Sequence, residues 1–274
     1  MGSQERHAAD AVEVLGLRVD VLESDEAERL VSGWMADPAP RARVVCAANV
    51  HMVMTAWDDH GFRQLVNEAD AVVADGQPVV WAQRLLGGSQ RRRVRMTPDL
   101  VLRLFGAAES AGRAVGLYGG TPQTLAVLVG GLGRHFPGLR VPFAYAPPFR
   151  PLTEEEDDSV VAEIRAAGVD LLFVGVGCPK QERWMAEHRS RLACVMVGVG
   201  AAFDLLGGRT RQAPPWMRDS GLEWVFRLCQ EPRRLWRRHL LNDPRYLALI
   251  AREAWRLRVR GRVRTAPGRR RGRG

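Results

Sequence analysis

The chain has 274 residues, 46% of them hydrophobic and 26% charged, with a formal net charge of +9. This is an ordinary soluble composition, long enough for one large α/β domain plus an appendage. The four cysteines (Cys46, Cys178, Cys194, Cys229) lie far apart with no C-x-x-C, which excludes a disulfide scaffold or zinc module. No apolar run approaches the ~18–20 residues that span a bilayer, so any membrane contact is expected to be peripheral.

The charge is unevenly spread. From Arg227 onward there are sixteen arginines against Glu231, Asp243 and Glu253, a local charge of +13, which leaves −4 for the first 226 residues. The basicity is therefore C-terminal and points to one local anionic partner. Lys180 is the only lysine.

In chain order, residues 1–11 read as a polar leader, and the stretch up to 22 contributes a short strand. Ser24 caps a helix to Met35, with apolar residues at Ala27, Leu30, Val31 and Trp34. Arg43–Ala48 is a buried strand leading into Asn49. A helix over Met52–Asn67, a strand over Ala71–Ala74, a turn at Asp75-Gly76 and a helix over Pro78–Leu86 follow. The pattern then predicts helix Pro98–Ala111, strand Ala114–Tyr118, turn Gly119-Gly120, helix Pro122–His135 and strand Arg140–Ala144. Thr153 and Glu156 form a capping box, so the acidic run Glu154–Asp158 complements a helix N-terminus. Strand Val169–Val174, turn Gly175–Pro179, helix Gln181–Arg191 and strand Cys194–Val199 complete the series.

Alternating strands and helices predict a Rossmann-like, mostly parallel sheet with helices on both faces. Ligands in such folds sit beyond the carboxyl ends of the strands, so the turns after them form one rim. Residues 12–208 read as this catalytic core and 209–257 as a basic, aromatic helical appendage. Residues 258–274 contain too little apolar surface to fold. Within the appendage, Trp224, Phe226 and Trp236 accompany Arg227, Arg233, Arg234, Arg237 and Arg238. Pro232 separates one helix ending near Gln230 from the next. Arg234, Arg237 and Arg238 share a face of the second helix, as an amphipathic basic helix requires.

No G-x-G-x-x-G, P-loop or G-x-S-x-G motif occurs. Gly119-Gly120-Thr121 reads equally as a phosphate-binding turn or a plain tight turn. Asp75, immediately after an apolar strand, is either a helix cap or a general base. No D-x-D is present, so a transferase with a diphosphate leaving group would rely on arginines to take up the developing charge.

The segments DGQPVVWAQRLLG (75–87), LYGG (117–120), VGVGCPKQERW (174–184), GVGAAFDLLGG (198–208) and APPWMRDSGLEWVFRLCQEPRRLWRRHLLNDPRYL (213–247) together resemble the WecG/TagA/CpsF family of bacterial glycosyltransferases. The resemblance covers roughly residues 12–255. It implies inverting transfer of an N-acetylmannosamine-type sugar from a UDP-sugar to a polyprenyl-diphosphate-linked saccharide, as in cell-surface polysaccharide or teichoic acid synthesis. It further implies no metal and no cofactor, at the cytoplasmic face of the cell membrane. The appendage would dock on that anionic surface and close the site.

Matched to the family motifs, Asp75 is the base, Asn49 and Gln181 contact substrate, and Arg227, Arg234 and Arg237 bind the diphosphate. Gly119 and Gly120 are candidate substrate-binding residues on the glycine-turn reading alone. Arg93 matches a further site arginine, with Arg95 as the alternative. Ala47 stands where the family has Thr, which puts the donor sugar in question. Two rival readings are a nucleic-acid-binding α/β protein with a basic arm and a nucleotide-binding protein that has lost activity. The negative core and the absence of a reader motif oppose the first, so no nucleic-acid partner is expected; Asp75 and the arginine set oppose the second. The oligomeric state, including a homo-oligomer, is left open.

Overall fold

The computed structural model describes residues 10–37, 39–87, 99–200, 202–208, 210–214, 216–217, 220 and 222–259, with side chains except at 234, 235 and 237–239. Among the described residues, eight strands form one sheet: β1 (Ala11–Val14), β2 (Leu17–Asp20), β3 (Arg43–Ala48), β4 (Ala71–Ala74), β5 (Ala114–Gly119), β6 (Arg140–Tyr145), β7 (Leu171–Gly175) and β8 (Val195–Gly198). Their order is β1-β2-β4-β3-β8-β7-β5-β6. All neighbours pair in parallel except β1 and β2. The strands β4 and β8 and residues 171–174 of β7 are buried throughout, as expected of a sheet covered on both faces.

Helices α1 (Ser24–Ala36), α5 (Val101–Ser110), α6 (Pro122–His135) and α9 (Ala202–Leu206) cover one face. The other face carries α2 (Val50–Asp58), α3 (His60–Asn67), α4 (Gln77–Gly87), α7 (Glu154–Ala166) and α8 (Lys180–His188). After the core come α10 (Glu223–Gln230) and the long α11 (Pro232–Val259). Three aspartates peg neighbouring strands together. Asp20, Asp70 and Asp170 accept the backbone N–H of Val72, Val44 and Ala114, each at 2.8 Å.

The fold class matches the sequence reading, and four local expectations change. The cap of α1 is Glu23 rather than Ser24, which is the first helical residue, and the Glu23 N–H donates to Glu26 at 2.8 Å. The single helix over Met52–Asn67 is two helices, because Asp59 adopts an extended backbone and its side chain accepts Phe62 N–H at 2.9 Å. Capping by a short carboxylate here overrides the continuous apolar periodicity. The early strand is a hairpin turning at Leu15 and Gly16, both at positive φ, and it begins at Ala11, the last residue of the expected leader. The strand expected from Val169 begins at Leu171, since Gly168 and Val169 close the end of α7. Of the stretch 258–274 expected to lack a fold, Arg258 and Val259 are the last residues of α11, and residues 260–274 lie outside the described residues.

The appendage is seated on the body. Gln230 accepts Arg211 N–H at 2.8 Å and donates to Arg211 C=O at 3.0 Å. Arg245 forms a fork onto Asp58 at 2.6 and 2.7 Å, and the Tyr246 hydroxyl donates to Pro78 C=O at 3.2 Å. Tyr246 and Ile250 join the hydrophobic cluster under α2 and α4. Lower down, Glu253 accepts Leu15 N–H at 3.3 Å. Thus α11 runs from the rim to the base of the sheet, and it continues through Pro244.

Candidate active site

Four adjacent strands, β4, β3, β8 and β7, end beneath one cleft. It is lined by Asp75 after β4, by Ala47, Asn49 and Met52 around the end of β3, and by Cys178 and Gln181 after β7. Val199, Gly200 and Ala202 after β8 and Arg227 from α10 complete it. The strand order places these segments side by side although they come from distant parts of the chain.

Asp75 extends the β3–β4 ladder through its N–H to Ala48 C=O at 2.8 Å. Gly76, at φ +88, then turns the chain into α4. A φ in that range strains any residue with a Cβ, so the carboxylate sits at the end of a rigid strand and before a glycine-dependent turn. Asn49 caps α2, its side-chain oxygen accepting Met52 N–H at 3.1 Å. Ala47 is only 6% exposed, and its methyl forms part of the cleft wall.

Gln181 is 2% exposed and acts as a staple. Its Oε1 accepts Gly177 N–H at 3.2 Å and Gly200 N–H at 3.1 Å, tying the turn after β7 to the turn after β8. Its Nε2 donates to Glu182 Oε1 at 2.7 Å. The amide lies so close to Gly198 that a Cβ there would come within 3.0 Å of Nε2. Glu182 is fully buried, and desolvation raises its pKa beyond what the hydrogen bonds from Gln181 and Cys178 lower it. Burial likewise pushes the Cys46 thiol up, with Glu182 and Cys178 adding to the effect.

Arg227 reaches the cleft from α10 while paired with Glu223 one helical turn earlier, at 2.9 Å. The cleft thus joins a carboxylate on the sheet rim to a guanidinium from the appendage. Of the other expected site residues, Arg93 and its alternative Arg95 lie outside the described residues. Arg234 and Arg237 fall in the N-terminal part of α11, and their side chains are not described. Gly119 and Gly120 stand at the rim but do not line this cleft. Gly119 has a packing reason to be glycine: at φ +133, a Cβ would lie 2.5 Å from the Gly175 carbonyl carbon and oxygen.

The sequence profile of the glycosyl transferase WecG/TagA/CpsF family matches residues 12–260. The chain belongs to this family. It is accordingly a glycosyltransferase, and the resemblance of its motifs is confirmed over nearly the whole core and appendage. It is 27% identical over 253 residues to an N-acetylglucosaminyldiphosphoundecaprenol N-acetyl-beta-D-mannosaminyltransferase of Staphylococcus aureus strain MW2, covering 92% of this chain and 96% of that one. A Bacillus subtilis strain 168 protein of the same name is 27% identical over 212 residues, covering 77% of this chain and 79% of the other.

Three residues at or beside the cleft carried no expected role. Cys178 and Glu182 lie in the stretch after β7 that the sequence places on the rim, and complete burial is what sets Glu182 apart there. Glu223 could have been found from its i, i+4 spacing to Arg227, the favourable order for a helical ion pair.

Proposed function

We propose that this glycosyltransferase moves an N-acetylmannosaminyl group from a UDP-sugar to an N-acetylglucosaminyl diphosphoprenol, with inversion and without a metal ion. The names of the two relatives support the donor group and the acceptor. The observation that carries the reading is the single cleft shared by Asp75 and Arg227. In one displacement, the acceptor hydroxyl oxygen bonds to the anomeric carbon as the bond from that carbon to the UDP phosphate oxygen breaks. The hydroxyl proton passes to the Asp75 carboxylate, the bonding pair leaves with UDP, and the configuration at the anomeric carbon inverts. Arg227 faces the charge that develops on the leaving diphosphate, as differential stabilisation of a transition state requires. Arg93, Arg234 and Arg237 are assigned to the same anion. Asn49 and Gln181 are assigned to substrate contact, Gln181 through the one amide hydrogen that its staple leaves over. The Gly119-Gly120 turn is assigned to the donor phosphates.

Metal independence is supported by the arginines, whose guanidinium groups can take up the charge that develops on the leaving diphosphate. Residues 12–208 then form the catalytic body, and residues 209–257 form the segment that docks and closes it. Among the described residues, no helix is long and apolar enough to cross a membrane. Trp216, Trp236, Leu240, Leu241, Leu247 and Trp255 are all exposed. Beside the C-terminal arginines they suit an anionic bilayer surface, which on the cytoplasmic side also presents the prenyl-linked acceptor. UDP release from UDP-N-acetylmannosamine should require a synthetic N-acetylglucosaminyl diphosphoprenol and persist in EDTA. Release that ignores the acceptor would sink the acceptor assignment, and loss of release in EDTA would sink the metal-free mechanism.

A further inference from the structure

The cleft depends on two glycine turns keeping a fixed separation. Gly177, at φ +86, and Gly200, at φ +54, occupy backbone conformations that other residues rarely adopt. Their N–H groups both point at one acceptor, the Gln181 side-chain oxygen. An amide side chain has two nearly isosteric ends, and only one of them accepts. If it flipped, its NH₂ would face two N–H donors and both bonds would be lost. The group that takes the other end of the amide is Glu182, whose Oε1 accepts from Gln181 Nε2 at 2.7 Å.

Glu182 is an odd choice for a purely structural position. It is 0% exposed and, among the described residues, its Oε2 has no hydrogen-bond partner and no arginine, lysine or histidine pairs with the carboxyl group, which the Cys178 thiol also meets. An apolar residue would fill the same space without the desolvation cost of a buried carboxyl group. What an apolar residue cannot do is accept the Gln181 hydrogen.

We propose that Glu182 is a positioning residue for the transfer reaction. It orients the Gln181 amide and through it sets the spacing of the Gly177 and Gly200 turns that wall the cleft. It does not touch the reacting atoms. Among the described residues no cation stands beside it to compensate an ionised carboxylate at this depth, so Glu182 performs this task as the neutral acid. The chain of contacts runs from Glu182 to Gln181 and from Gln181 to both turns, directly beside Asp75 and Arg227.

This inference rests on the proposed transfer at this cleft, so its test includes a readout that needs no activity. Glu182→Gln supplies a neutral acceptor of the same shape, whereas Glu182→Leu supplies none. Hydrogen exchange at the Gly177 and Gly200 amides should rise at least about tenfold in Glu182→Leu and stay near wild type in Glu182→Gln, in line with loss of one buried bond each. With UDP-sugar and prenyl-linked acceptor, Glu182→Leu should lose about tenfold or more in kcat at an unchanged or raised Tm, and Glu182→Gln should keep kcat within about threefold. That opposition between turnover and stability is not expected of a residue that only fills space.

Unchanged exchange in Glu182→Leu overturns the proposal whether or not the wild-type protein shows transfer. Absence of wild-type transfer with the exchange result intact rejects the functional reading alone. A Glu182→Gln variant as impaired as Glu182→Leu overturns the neutral-acid assignment. Should Glu182→Leu yield no folded protein, Glu182→Met takes its place, and failure of both to fold overturns the positioning role in favour of a structural one.

Discussion

Gly119 and Gly120 offer the sharpest test of packing against ligand binding at the rim. In Gly119→Ala the added Cβ would stand 2.5 Å from the Gly175 carbonyl carbon and oxygen and 2.9 Å from its Cα. These are backbone atoms of the neighbouring strand, so no side-chain rotation relieves the clash. The φ of +133 adds strain for a residue with a Cβ. Overpacking and backbone strain each cost about 1–3 kcal/mol, so a loss of about 3 kcal/mol is expected. In Gly120→Ala the nearest atoms lie at 3.6 and 3.7 Å, ordinary contacts, and only the left-handed φ of +70 is penalised. That costs about 1 kcal/mol. At a urea m-value of about 3 kcal/mol/M for a chain this long, the midpoint should fall about 1 M for Gly119→Ala and about 0.3 M for Gly120→Ala. Equilibrium urea unfolding followed by tryptophan fluorescence measures both. A Gly119→Ala midpoint equal to or above that of Gly120→Ala would refute the packing argument.

The other expectations concern the cleft. Asp75→Asn should lower turnover by about 10²–10⁴-fold, as for loss of a general base, while calorimetry shows UDP still binding; near-normal turnover would exclude Asp75 as the base. Ala47→Thr places a hydroxyl in the cleft wall, and one neutral hydrogen bond of about 0.5–1.5 kcal/mol should shift relative kcat/KM between UDP-sugar donors by about three- to tenfold. An unchanged donor ratio would show that position 47 does not read the sugar. Glu223→Gln releases Arg227 from a partly exposed pair worth about 0.3–0.5 kcal/mol, so UDP should bind about twofold more tightly. Weaker UDP binding by titration calorimetry would mean that Glu223 holds Arg227 in its working position.

The last expectation is one of pH. Glu182 has a raised pKa when folded, against about 4.3 for an unperturbed glutamate. Its contribution to stability is complete below the unfolded value and declines as pH rises through the folded one. Glu182→Gln removes that dependence, so its unfolding free energy should gain on wild type as pH rises above the unfolded value, until the folded carboxyl has ionised. A constant difference across that range would contradict a protonated Glu182.

What the sequence determined alone was mostly short-range. Apolar runs such as Ala71–Ala74 and Val195–Gly198 announce buried strands. The Thr153–Glu156 box, complete in the structure, announces a helix start, and Pro232 marks the break between α10 and α11. Asp75 was legible as a rim carboxylate because it directly follows such a strand. Family motifs singled out Gln181 and Arg227, although neither periodicity nor spacing did. Tertiary structure alone decided that β8 inserts between β3 and β7, and this insertion brings Gly200 beside Gly177 and within reach of Gln181. It also decided that α11 packs on α2 and α4 and that α10, which precedes it, places Arg227 in the cleft of Asp75. Helix periodicity, caps and turns arise from interactions within a few residues, so a single stretch of chain contains their cause. Strand order and the seating of α11 arise from burying surfaces that are remote in sequence, and the protonation and role of Glu182 depend on the burial that results.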